Sequence, residues 1–109
     1  MVLLKYGFWL FLILAVLLEV IADVLFKKWS LENKNLLLVL GLFLYFIGTV
    51  FWAFSLKYEY LSKAISVFTV LNLVIITLVG VVLFKEHLSL VNKIGVLLGI
   101  LSVGLIEWA

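Results

Sequence analysis

The sequence predicts an all-α membrane protein of four transmembrane helices, and three observations predict it. Hydrophobic residues make up 68% of the 109-residue chain and charged residues only 13%, whereas a soluble domain is roughly half apolar and a quarter charged. A chain this short buries only part of its surface on folding, so it has no soluble use for so much apolar side chain. The charges fall in clusters that divide the chain into four apolar stretches, each about as long as the ~20 residues a helix needs to cross a ~30 Å hydrocarbon core.

The four predicted helices run from about Phe8 to Phe26, Leu36 to Leu56, Leu61 to Phe84 and Leu88 to Trp108. Between them lie Lys27/Lys28/Glu32/Lys34, Lys57/Glu59/Lys63 and Lys85/Glu86/His87. These connections are short, so consecutive helices run antiparallel and pack as neighbours, each satisfying its own backbone hydrogen bonds as lipid requires. The first stretch is too long for a signal-peptide core and carries two acids, so it is expected to stay in the mature protein. In "VVLFKEHLSLVNKIG", Ser89 can cap the fourth helix with Asn92 three residues on; alternatively Glu86 and His87 simply sit in water. No linker or low-complexity tract interrupts the chain. Residues 1–109 therefore read as a single four-helix transmembrane domain, multi-pass in the cell inner (plasma) membrane.

Composition also excludes several chemistries. Without cysteine there is no disulfide and no thiolate metal site. The one histidine, His87, lies in a loop, and no nucleophile stands beside a base, so neither an enzyme nor a metal or other cofactor is expected. Eight lysines and no arginine, scattered over several loops, make no stripe for nucleic acid; anionic lipid headgroups account for them better. Lys5, Lys57 and Lys63 fall on one side of the membrane, and Lys27, Lys28, Lys34, Lys85 and Lys93 on the other. That small bias places both termini outside the cytoplasm. With Lys63 and Lys93 drawn toward helix ends, it is weak enough to permit insertion both ways and the pairing of two opposed copies.

The chemistry concentrates in "LEVIADVLFKKWS", residues 18–30. Counting from the middle of the first helix at ~1.5 Å per residue, Glu19 stands ~2 Å from the midplane, Asp23 ~8 Å and Lys27 ~14 Å. Their spacing of four puts all three on one stripe. Lys27 and Lys28 can snorkel to the headgroups, and Asp23 can reach water or Lys27 by a similar route. Glu19 is too short to do so and must face the bundle interior or a cavity, either protonated or paired. A carboxylate there holds a proton or a cation, one excluding the other. That competition is what proton-coupled exchange of a cation needs. The bland alternative is a neutral Glu19 that hydrogen-bonds a neighbouring helix, with Asp23 an interfacial anchor.

The remaining polar and small residues each carry two readings. Tyr45 lies at mid-depth in the second helix, either donating to a carboxylate or stacking on a cation, or packed as an aromatic. In the third helix Ser62, Ser66, Thr69 and Thr77 share a face with Asn72 at its edge; Asn72, near mid-span, needs a partner across a helix interface or a contact with substrate. In the fourth, "IGVLLGILSVGLI" has no mid-membrane acid, and Gly95-x-x-x-Gly99 reads as a dimer-packing face. Trp9, Trp29 and Trp108 fall at helix ends as an aromatic belt. Four helices leave little room for a chamber shielded from lipid, whereas two copies supply eight helices and two Glu19 residues. A homodimer follows from volume as much as from the glycines.

These residues resemble the small multidrug resistance family of the drug/metabolite transporter superfamily. In that family the first helix carries a glutamate followed by valine or isoleucine, with a lysine eight residues on. Glu19, Val20 and Lys27 match, and Ser30 stands one place later than the family's serine. Tyr45 falls at a family tyrosine, "LSKA" matches the entry to the third helix, and "LFKEHLSLVNKIGVLLG" matches the hairpin that follows. The resemblance spans nearly the whole chain. It implies a four-helix protein working as an antiparallel homodimer, with Glu19 as the site shared by proton and organic cation. A polar residue at Asp23 is most similar to polyamine-exporting members. The third helix departs from the family's A-Y-A-x-W-x-G-x-G: it reads "AISVFTVLN", with Ile65, Phe68, Val70 and Asn72 at the tyrosine, tryptophan and glycine places.

The expected function is thus a proton-coupled antiporter of small organic cations, polyamines or quaternary ammonium compounds, with Glu19, Asp23, Tyr45, Ser66, Phe68 and Asn72 forming the substrate and proton site. The loss of the tryptophan predicts poor binding of bulky aromatic cations. Two alternatives stay open: a half-size transporter or flippase for a lipid-linked or other polar metabolite, and a non-transporting membrane subunit.

Overall fold

The computed structural model describes residues 2–108; the side chains of residues 2–5 and 107 lie outside that description, and with them the expected position of Lys5. The described residues form α1 (Val2–Glu32), α2 (Asn35–Ser55), α3 (Leu61–Leu83) and α4 (Leu90–Trp108). They divide into two compact units, one through Tyr60 with α1 and α2, the other from Leu61 with α3 and α4. By length and composition Tyr6–Glu32, Asn35–Ser55 and Leu61–Leu83 can each cross a membrane, while the apolar part of α4, Leu90–Ile106, is shorter.

The largest departure from expectation is α1. It begins at Val2 rather than Phe8 and does not stop near Phe26 but runs on to Glu32, 31 residues in all, ~46 Å at 1.5 Å per residue, well beyond the ~30 Å apolar core. Lys27, Lys28 and Glu32 therefore sit on helix rather than in a loop. Charge does not end a helix whose backbone bonds are internal, and long lysine side chains can leave it for the headgroups. What ends it is Asn33, in the left-handed region at φ 57°, one of the few non-glycine residues that adopts it readily. Its N–H donates to the Trp29 carbonyl at 2.7 Å, closing the last turn. Lys34 is extended, and α2 begins at the next residue.

In α2 to α4 the start of α3 and the end of α4 fall where expected, and the other boundaries shift by one or two residues. The Leu56 N–H donates to the Ala53 carbonyl at 3.2 Å, tightening the end of α2. At the end of α3 the Gly80 carbonyl accepts from the N–H groups of both Phe84 and Glu86, with Lys85 at φ 54°. Helix α4 starts at Leu90, two residues later than expected, because Ser89 caps it: its hydroxyl oxygen accepts the Asn92 N–H at 3.1 Å.

Within the first unit, α1 buries Phe8, Leu12, Ala15, Glu19 and Ala22, steps of four and three that make a knobs-into-holes seam. The opposite face, Leu10, Ile13, Leu17 and Ile21, is exposed and wholly apolar, suited to lipid. Helix α2 answers with Gly41, Gly48 and Ser55, all buried and seven residues apart. Residues this small let two backbones approach closely, which is what drives packing in lipid. The pairs Gly7–Tyr58, Glu19–Gly48 and Phe26–Gly41 run in opposite order along the two helices, so the hairpin is antiparallel. Near its open end Phe11 stacks on Phe51, Phe54 and Tyr58, with centroids 5.6–6.2 Å away.

Candidate functional site

Glu19 lies inside the α1–α2 seam, 7% exposed. Gly48 faces it so closely that a Cβ there would stand 3.1 Å from the Glu19 Cγ, 3.3 Å from the Leu18 Cβ and 3.4 Å from the Ala15 carbonyl oxygen. One turn along α1, half-buried Asp23 is near enough for the two carboxylates to act on each other electrostatically. The Tyr45 hydroxyl is within electrostatic reach of both acids. Its ring is tilted against Phe26 at 6.4 Å and is 45% exposed. The structure thus brings Glu19, Asp23 and Tyr45 together.

Among the described residues, neither acid accepts a hydrogen bond or joins an ion pair. Asp23 does not pair with Lys27, which is exposed. Holding two carboxyl groups in apolar surroundings without a protein cation requires a proton or an external cation. No group of three or more His, Cys, Asp or Glu side chains gathers for a metal among the described residues.

The α3 candidates belong to the second unit. The Ser66 hydroxyl donates to the Ser62 carbonyl at 2.8 Å. Phe68 and Asn72, one turn apart, are both half-buried, and the Asn72 Oδ1 is buried without a hydrogen bond. The two α4 glycines behave differently. Gly99 faces α3 of its own chain, where a Cβ would make ordinary contacts with Leu73 at 3.6 Å and Val70 at 3.7 Å. Gly95 has open space before it, on a groove of about 520 Å³ lined also by Leu73, Thr77, Leu88 and Asn92. Trp9 is not at a helix end but two turns inside α1, because the helix begins at Val2; it and Trp29 are half-buried, and Trp108 is 90% exposed.

Sequence reasoning missed Gly41, Gly48 and Ser55, the residues that seat Phe26 and Glu19 against α2. Their spacing of seven, in a helix otherwise made of large side chains, was the available signal.

The family described as Small Multidrug Resistance protein matches residues 8–99. The chain is also 35% identical over 102 residues to the "Uncharacterized membrane protein YvaE" of Bacillus subtilis (strain 168), covering 91% of this chain and 86% of that one. No solved structure matches.

Proposed function

From the premise that this chain belongs to the small multidrug resistance family, whose members are multi-pass inner-membrane transporters and not enzymes, we propose that it exchanges protons for small organic cations. The observation that supports this best is Glu19, buried at the seam with no protein cation beside it. A deprotonated Glu19 attracts an ammonium group, and a protonated one does not. Binding a cation therefore expels the proton, and a proton arriving from the other side displaces the cation. Asp23, one turn away, suits a second ammonium group, which favours linear diamines and polyamines. Ser66, Phe68 and Asn72 would supply hydrogen bonds and an aromatic face from α3. The working unit in this reading is a homodimer packed through Gly95 and Gly99 of α4, its two copies opposed in the membrane.

Proton release on adding a linear diamine to detergent-solubilised protein tests the reading. Wild type should release protons, and Glu19→Gln, which keeps shape but cannot ionise, should fall to background while still folding. Asp23→Asn should lower the affinity for diamines more than for monoamines. Cation affinity should fall as pH is lowered, because protons and cations compete for one carboxylate. Equal proton release by wild type and Glu19→Gln would remove Glu19 from the mechanism. Transport of a lipid-linked headgroup without proton release would favour a flippase.

A further inference from the structure

The contact that holds Glu19 in place comes from a residue with no side chain. We propose that Gly48 is a positioning residue for Glu19: the bare backbone of α2 at this point sets where the carboxylate lies, and hence how tightly it takes cation or proton. The inference rests on Glu19 being the exchange site.

The neighbours of residue 48 differ in how far they can yield. A Cβ at residue 48 would lie 3.1 Å from the Glu19 Cγ, 3.3 Å from the Leu18 Cβ and 3.4 Å from the Ala15 carbonyl oxygen. The last two belong to, or are fixed by, the α1 backbone and cannot swing away. The Glu19 Cγ can, by rotation about its own side-chain bonds. A single methyl group at residue 48 thus acts first on the Glu19 rotamer, removing no charge and no hydrogen bond. Misplacing a reacting group by about 1 Å can cost on the order of a hundredfold, so even a partial displacement is measurable. Gly41, seven residues away on the same seam, provides the contrast. A Cβ there would meet the Phe26 ring at 2.6 Å, a tighter clash, on a ring that packs against Tyr45 but not on Glu19, Leu18 or Ala15.

The experiment compares Gly48→Ala, Gly41→Ala and wild type in diamine-induced proton release followed across pH, with thermal unfolding of each variant measured in parallel. Gly48→Ala should weaken diamine binding on the order of tenfold and move the midpoint of the pH profile. Gly41→Ala should lower stability at least as much, yet leave the midpoint where wild type has it. A merely structural role for Gly48 predicts that both variants lose stability and neither moves the midpoint, and that result overturns the proposal. If Gly48→Ala fails to fold, Glu19→Asp, which withdraws the carboxylate by one methylene and adds no atom to the seam, serves instead: a moved midpoint supports a site set by where the carboxylate lies, and an unmoved one overturns it. Wild type that releases no proton would reject the exchange reading itself, a different result from a silent Gly48→Ala beside an active wild type.

Discussion

The two hairpins solve the same problem, packing two helices in lipid, in opposite ways. In the first, small residues of α2 meet a continuous seam on α1, and a carboxylate is sealed into the contact. In the second, α3 buries Ala64, Val67 and Gly80, while Ile94, Leu97, Leu98, Leu101 and Leu105 of α4 are exposed. Both hairpins are apolar, so hydrophobicity does not distinguish them. The difference is one of fit: lipid tails are as apolar as leucine, so helices associate in a membrane where shapes match. Both hairpins leave apolar faces for lipid or a second copy, but only the first joins its two helices through a close-packed seam of small residues.

That contrast can be broken from the side of the second hairpin. If α4 packs on another copy, Gly95→Leu gives the largest effect expected there. It meets nothing within its own chain, so the fold should survive while the homodimer dissociates, as read by mass measurement or crosslinking in mild detergent. Gly99→Leu is a less clean test, because it also presses on Val70 and Leu73. An unchanged mass for Gly95→Leu would leave α4 facing lipid. On the first hairpin, Gly41→Ala should cost about 1–3 kcal/mol, the usual range for overpacking, visible as a lower unfolding midpoint, because the Phe26 ring must move. No loss would mean that the seam is softer than its geometry. The smallest effect sharpens the boundary of α4: Ser89→Ala removes the hydroxyl that accepts the Asn92 N–H and should cost about 1 kcal/mol. The loss should appear as faster amide exchange in the first turn of α4 and not in α1 or α2.

How much of this was legible in the sequence depends on what kind of signal carried it. Helix number and the starts of α2 and α3 follow from hydropathy, since lipid imposes a minimum apolar length. Ser89 follows from capping chemistry, and the burial of Glu19 from the cost of a short carboxylate at mid-membrane. Lys27 was already readable on the helical stripe, but the extension of α1 beyond Lys28 to Glu32 was hidden, because charge marks the edge of the hydrocarbon and not the end of a helix. The α1–α2 seam was hidden for a different reason. In a soluble helix, polarity tells the inner face from the outer; here both faces are apolar, and Gly41, Gly48 and Ser55 differ from Leu42, Phe43 and Phe46 in size. For the site, the stripe through Glu19 and Asp23 was readable, and so was Tyr45 as a candidate. Nothing in the spacing of Glu19 pointed to Gly48 as the residue facing it from α2.

Only Asn33 and Lys34 separate α1 from α2, too little chain to let one helix slide past the other by a turn. The interlocked glycines resist the same slip along the rest of the pair. If Glu19 is the exchange site, a piston stroke of α1 along α2 is not what would expose it to the two sides of the membrane in turn. In that reading the pair would act as a lever arm, tilting or rotating as a single rod with its carboxylate.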